Sequence, residues 1–245
     1  MTNRVNPNAQ LDYPALIAQL FEIDRTDKPQ INLDLVAPHF LAIQSLIRAS
    51  IEYTEAAHLL ANQGNILPAL ALLRSVFDHF ILASYLEKSP DGPTETRIIL
   101  DKNAMELGRK AQSIGVEANA RALIEQSKST IVEMNSVSTR TSNLIDRFSE
   151  ADALHAFYFL LGQSVHPKAA FFQYFEVDES TGAKTIRRNS LDQDKNSVEP
   201  FTFQLLRATL LLDAKTRKLP EMSELLQFND LKLGFNPDLH IKGSI

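Results

Sequence analysis

Ile66-Leu-Pro-Ala-Leu-Ala-Leu-Leu-Arg74-Ser-Val-Phe-Asp78-His79-Phe-Ile-Leu-Ala-Ser-Tyr85-Leu86 is the most apolar stretch of this 245-residue chain. Its length suggests a membrane span, but Arg74, Asp78 and His79 sit near its middle. Each charge at a bilayer centre costs ~2.5–3.5 kcal/mol on insertion scales. The expected form is therefore a core helix of a soluble, cytoplasmic protein with no membrane contact. Apolar residues occupy nearly its whole circumference, which places such a helix inside a bundle. Pro68 suits the first turn, where its missing N–H leaves no bond unmade.

The pattern before it runs from about Leu35 to Gln63. Phe40, Ile43, Ile47, Ile51, Leu59 and Leu60 form an apolar stripe, and Arg48, Glu52 and Glu55 a polar one. Asn62-Gln-Gly-Asn65 is a helix stop with Gly64 at C′. The short connection predicts an antiparallel helical hairpin over 35–88. Further helical spacing covers Leu11–Ile23, Thr94–Gln112, Val116–Met134, Ala151–Val165 and Phe201–Arg217. Thr94 and Ser149 are candidate N-caps, and Pro220 opens one more short helix. Residues 136–142 are polar and β-branched and read as a loop. The polar stretch at about 176–199 carries a turn signal at Asp178–Gly182 and reads as a loop or small hairpin. Together these predict an all-α, up-and-down helical bundle. Its expected organisation is a tail and short helix over 1–34, a single domain over 35–229, and an irregular C-terminal tail over 230–245.

Composition narrows the chemistry. Lys and Arg total 25 against 30 Asp and Glu, a formal net charge of −5, with 44% hydrophobic residues and no Cys or Trp. Disorder is excluded by that apolar content. Thiolate metal sites, disulfides and a cysteine nucleophile are excluded outright. The acidic balance argues against a broad nucleic-acid surface. The first residues hold no apolar run of the secretory kind. Walker, dinucleotide-binding and nucleophile-elbow motifs are absent. His and carboxylates remain as the groups able to do chemistry.

Arg74 and Asp78 lie four apart, on one face of an apolar helix. Buried charges occur paired, because an unpaired one carries several kcal/mol of desolvation, so a buried ion pair is expected here. Antiparallel packing would bring Glu52 and Glu55 to similar height. The group reads either as a structural salt-bridge network or as a polar pocket for a small polar or anionic ligand, Arg being suited to bidentate recognition. A second segment, His155-Ala-Phe-Tyr158-Phe-Leu-Leu-Gly162-Gln-Ser-Val-His166-Pro167, aligns Tyr158, Gly162 and His166 at one-turn spacing. Pro167 keeps His166 out of helical geometry, so His166 sits at a helix end where the dipole favours a protonated ring. It reads as a cap or as the corner of a site. If catalysis occurs, His166 is the general acid/base and Arg74 its charged partner.

Leu73-Arg74-Ser75-x-x-Asp78 followed by Tyr158-x-x-Leu161-Gly162-x-x-Val165-His166-Pro167 resembles an uncharacterised bacterial family of helical proteins. That family pairs an Arg-Ser-x-x-Glu helix with a Tyr-x-x-x-(Ser/Cys)-x-x-x-His-Pro segment about 80–90 residues later. Asp78 stands for the Glu, and Gly162 replaces a small polar residue. The resemblance covers roughly residues 40–176 and implies that Arg74, Asp78 and His166 form one cluster.

Two alternatives compete. Arg74-Ser-Val-Phe-Asp-His79 fits the Arg-x(4–6)-His pattern of HEPN-type ribonucleases, which are all-α, metal-independent and often dimeric. Arg74 with His79 or His166 would be the polar pair. Random placement already yields about one such match, and positions five apart point about 140° apart on a helix. Glu55-Ala-Ala-His58 and Asp152-Ala-Leu-His155, with Asp78, are the elements of a di-iron carboxylate site. The leading reading needs no cofactor. Arg187-Arg188 reads as a solvated loop. Phe171, Phe172, Tyr174 and Phe175 read as core or as a homodimer surface.

Overall fold

The computed structural model describes residues 12–26, 37–113, 124–125, 138–163, 175–177, 180–182, 184–186, 195–220, 222, 226 and 234–243. The expectations for residues 1–10, for His166 and Pro167, for Phe171, Phe172 and Tyr174, and for Arg187-Arg188 lie outside these. So does the helix expected over 116–134, apart from residues 124–125.

Among the described residues the fold is an all-α bundle with one small hairpin. The helices are α1 (Tyr13–Thr26), α2 (Pro38–Asn62), α3 (Ile66–Lys88), α4 (Gly92–Ser113), α5 (Thr141–Ile145), α6 (Ala151–Gln163) and α7 (Lys195–Thr216). The strands β1 (Phe175–Val177) and β2 (Lys184–Ile186) pair antiparallel, with Phe175 opposite Ile186 and Val177 opposite Lys184. The hairpin falls inside the polar excursion.

α2 and α3 form the antiparallel hairpin. Gly64 ends α2 at φ 79°, the left-handed conformation that glycine adopts without strain. The Asn65 N–H donates to the Leu60 carbonyl at 2.9 Å and the Gly64 N–H to the Ala61 carbonyl at 3.0 Å. This pair of bonds is the Schellman arrangement, which satisfies the last carbonyls of the helix. α3 is the core helix. Leu73, Val76, Phe77, Phe80 and Ile81 are fully or almost fully buried, and α3 packs against α2, α4, α5, α6 and α7. Among the described residues it alone has the length and composition to cross a membrane.

α7 is as central as α3. Val198, Phe203, Leu205, Leu206, Ala208 and Leu210 are sealed from solvent, and the helix touches α1, α2 and α3. It begins at Lys195, several residues before the expected start at Phe201, and it contains Pro200. Pro200 is the sixth residue of the helix, so it removes one intrahelical hydrogen bond near the start, and the helix continues through it. The excursion ends correspondingly earlier than residue 199.

Two N-caps are corrected. α4 starts at Gly92, with the Asp91 carbonyl accepting from the Glu95 N–H at 2.9 Å, so Thr94 lies within its first turn. At the start of α6 the Ser149 hydroxyl donates to the His240 carbonyl at 3.1 Å, and the Leu154 N–H reaches the Glu150 carbonyl at 3.1 Å. Glu150 occupies the cap position. The stretch 136–142, expected as a loop, already enters α5 at Thr141.

Both ends of the described chain belong to the core. α1 buries Ile17, Leu20 and Phe21 and packs on α7. The C-terminal stretch 234–243 is irregular, yet it buries Phe235 and Leu239. The Phe235 ring lies 5.0 Å from that of Phe157 and 5.8 Å from that of Phe80. Gly234, at φ 50°, permits this approach, since a Cβ there would come within 3.1 Å of the Phe157 ring. A bridge between Phe148 and Ile241 ties the stretch to the start of α6.

Candidate functional site

α3, α5 and α6 meet around Arg74. Its guanidinium carbon lies 3.2 Å from the centroid of the Tyr158 ring, a stacked cation–π contact. Nη1 donates to the Tyr158 carbonyl at 3.2 Å, and Nε donates to Asp78 Oδ1 at 3.3 Å. The Thr141 hydroxyl, at the start of α5, donates to the same Asp78 Oδ1 at 2.6 Å. Gly162, one turn after Tyr158, leaves the room that the guanidinium occupies: a Cβ there would stand 3.0 Å from Arg74 Nη1. The Tyr158 ring is backed by Phe77 of the core, at 6.1 Å. The plane of the guanidinium is thus set by an aromatic face, a carbonyl and a carboxylate together.

The pair is less buried than expected. The Arg74 side chain is 15% exposed, but that of Asp78 is 40% exposed. The cluster therefore forms an open polar recess rather than a sealed ion pair.

Other sequence candidates lie elsewhere. Glu55 pairs with Arg25 of α1 at 3.0 Å, both side chains well exposed, and Glu52 is exposed. Neither joins Arg74, because the polar stripe of α2 faces α1 and solvent rather than α6. His79 points to α2, its ring 5.6 Å from that of Tyr53. Burial pushes its pKa below the ordinary histidine value, against a smaller opposing effect of Asp78. Arg74 and His79 thus serve different interfaces of α3. His58 stacks near Phe21 at 6.2 Å, and its Nε2 lies 3.1 Å from Asn62 Nδ2. His155 Nε2 is 2.8 Å from Asp146 Oδ1, and Asp152 is exposed. Glu55, His58, Asp78, Asp152 and His155 do not converge. Among the described residues no group of three or more His, Asp or Glu is placed to hold a metal ion, so the di-iron arrangement is not built here.

Sequence reasoning missed two features. Thr141 holds Asp78 from a segment with no helical signal. A second ion network, on the other side of the bundle, centres on Asp213 of α7, whose side chain is 0% exposed. Arg217 grips it through Nε at 3.0 Å and Nη2 at 2.7 Å, and Arg48 Nη2 adds a bond of 3.0 Å. Arg48 also reaches Asp24 of α1 at 2.7 Å. Among the described residues this network holds the most deeply buried ion pair, Asp213 with Arg217, and it joins α1, α2 and α7. Asp213 and Arg217 show the same four-residue spacing on an apolar helix that marks Arg74 and Asp78.

A separate cleft of about 420 Å³ opens where Lys88, Ser149, Glu150 and His240 meet, toward the far end of α3 from its Ile66 start. Several of its polar groups are already engaged. His240 N–H donates to Glu150 Oε2 at 3.2 Å, and Lys88 pairs with Asp238 at 3.3 Å.

A family model described as "Family of unknown function (DUF5677)" matches residues 40–183, more than half of the chain. The chain belongs to this family. The matched span runs from the first turn of α2 to the hairpin and contains Arg74, Asp78, Thr141, Tyr158 and Gly162. The family segment therefore carries every described member of the recess, while α1, α7 and the C-terminal stretch lie outside it. No curated protein and no solved structure matches the chain.

Proposed function

We propose that the protein is a cytoplasmic ligand-binding module whose site is the recess around Arg74. The observation that carries this reading is the treatment of one guanidinium. Arg74 is stacked on Tyr158, bonded through Nε and Nη1, and only 15% exposed, yet its remaining nitrogen, Nη2, has no hydrogen-bond partner among the described residues. A purely structural arginine at this depth is stabilised by engaging its donors, as Arg217 does with both Nε and Nη2 on Asp213. Holding the plane rigid while leaving one nitrogen open is the arrangement that recognition requires, because little side-chain entropy remains to be lost on binding. The ligand class is a small polar or anionic molecule.

Thermal-shift measurements with phosphate, acetate and the common L-amino acids test the reading. A compound present at ~100 times its Kd stabilises by about 2.7 kcal/mol, which is readily seen in Tm. The expected result is stabilisation of the wild type that is lost in Arg74→Lys, where the charge stays but the planar fork is gone. If compounds that stabilise the wild type stabilise Arg74→Lys and Arg74→Ala equally, the site is elsewhere.

A further inference from the structure

The recess leaves two atoms open, and they are of opposite charge. Arg74 Nη2 is one. Asp78 Oδ2 is the other: both bonds to Asp78, from Arg74 Nε and from Thr141, go to Oδ1. Neither open atom has a partner among the described residues, and neither is among the atoms sealed from solvent without a partner. Each is two covalent bonds from the 3.3 Å contact between Nε and Oδ1, since Nη2 shares the guanidinium carbon with Nε and Oδ2 shares the carboxylate carbon with Oδ1. An open cationic donor and an open anionic acceptor therefore belong to one ion pair.

We infer that the recess recognises a small zwitterion of the α-amino-acid type, its carboxylate on Arg74 Nη2 and its ammonium on Asp78 Oδ2. This rests on the reading of the recess as a ligand site and narrows it. Arg74 and Asp78 together carry no net charge, so a simple anion gains from one and is repelled by the other. A simple cation meets the reverse. A ligand with both charges one carbon apart gains two charge-assisted hydrogen bonds and opposes neither group. One face of the guanidinium is already occupied by the Tyr158 ring, which leaves the edge of the guanidinium for recognition. Thr141 fixes which carboxylate oxygen stays open. The space at Gly162 fixes where the guanidinium sits.

Calorimetry on the full chain, with each common L-amino acid and with charge-deleted forms of the tightest binder, tests this. The N-acetyl form removes the ammonium and the methyl ester removes the carboxylate. The expected result is binding of the zwitterion, with each deleted form weaker by about tenfold or more, the loss due to one charge-assisted hydrogen bond. In Asp78→Asn, which keeps the shape of the side chain, the expected preference for the free amine over the N-acetyl form shrinks to near unity. Binding of acetate or phosphate at least as tight as any amino acid, and lost in Arg74→Lys, overturns the zwitterion and leaves the ligand site standing. Absence of binding by amino acids and anions alike overturns both.

Discussion

At the scale of single residues, Arg74 carries the most information. Its spacing from Asp78 on an apolar helix made the pair legible, as did the one-turn spacing of Tyr158 and Gly162. What those spacings could not give was depth. Asp78 keeps 40% of its side chain exposed, so removing Arg74 strands no sealed charge. Arg74→Ala is expected to cost about 1–2 kcal/mol, from the lost stacking and hydrogen bonds, rather than the ~3–5 kcal/mol of a broken buried pair. Urea denaturation of the two proteins measures the difference. Gly162 gives a sharper separation of stability from binding. Alanine raises helix propensity by up to about 1 kcal/mol, but its Cβ would stand 3.0 Å from Arg74 Nη1. That contact asks the guanidinium to shift by only a few tenths of an ångström. Gly162→Ala is expected to leave Tm unchanged or slightly raised while weakening ligand binding, which paired melting and titration experiments would show. Thr141 was not legible at all. Its partner lies 63 residues away, and a hydroxyl in a polar stretch carries no signal of such a contact.

At the scale of elements, the hairpin of α2 and α3 was readable because its stop signal has a physical cause. Gly64 at φ 79° closes the Schellman bonds with no Cβ to strain. α7 was harder. Pro200 and the polar residues before it concealed its first turns, and its central position follows only from what packs on it. Asp213 and its arginines bind this helix to α1 and α2. Asp213→Ala would remove the fully buried carboxylate that Arg217, whose side chain is 7% exposed, grips through two nitrogens. The expected loss is ~3–5 kcal/mol, well above that of Arg74→Ala. The order of the two midpoints in urea tests the assignment of the most deeply buried pair to Asp213 rather than to Asp78.

At the scale of the whole molecule, the all-α class was legible from periodicity, while the reach of the core was not. Phe235 and Leu239 lie in an irregular stretch with no period to reveal their burial, yet both are inside. The pH response also belongs to this scale. His79, between Tyr53 and Asp78, is held below the ordinary histidine pKa by burial, with Asp78 opposing. His39, bonded to Thr96 at 2.7 Å, is lowered in the same way, with Glu87 opposing. The unfolded chain then binds more protons than the folded one below about pH 6.5. Stability is therefore present above that pH and declines as pH falls toward the lowered folded values. Melting temperature should drop on going from about pH 7 to about pH 5, and the drop should be smaller in a protein with both His39→Gln and His79→Gln.

The most direct test of the recess as a binding site is the side-chain Nε–Hε resonance of Arg74 in ¹⁵N-labelled protein, followed during titration with the common L-amino acids. The expected result is a saturable shift of the Arg74 signal together with the backbone amides of Thr141 and Gly162, while the Arg48 and Arg217 signals stay in place. An Arg74 signal that remains fixed throughout, or that moves no more than those of Arg48 and Arg217, would contradict it.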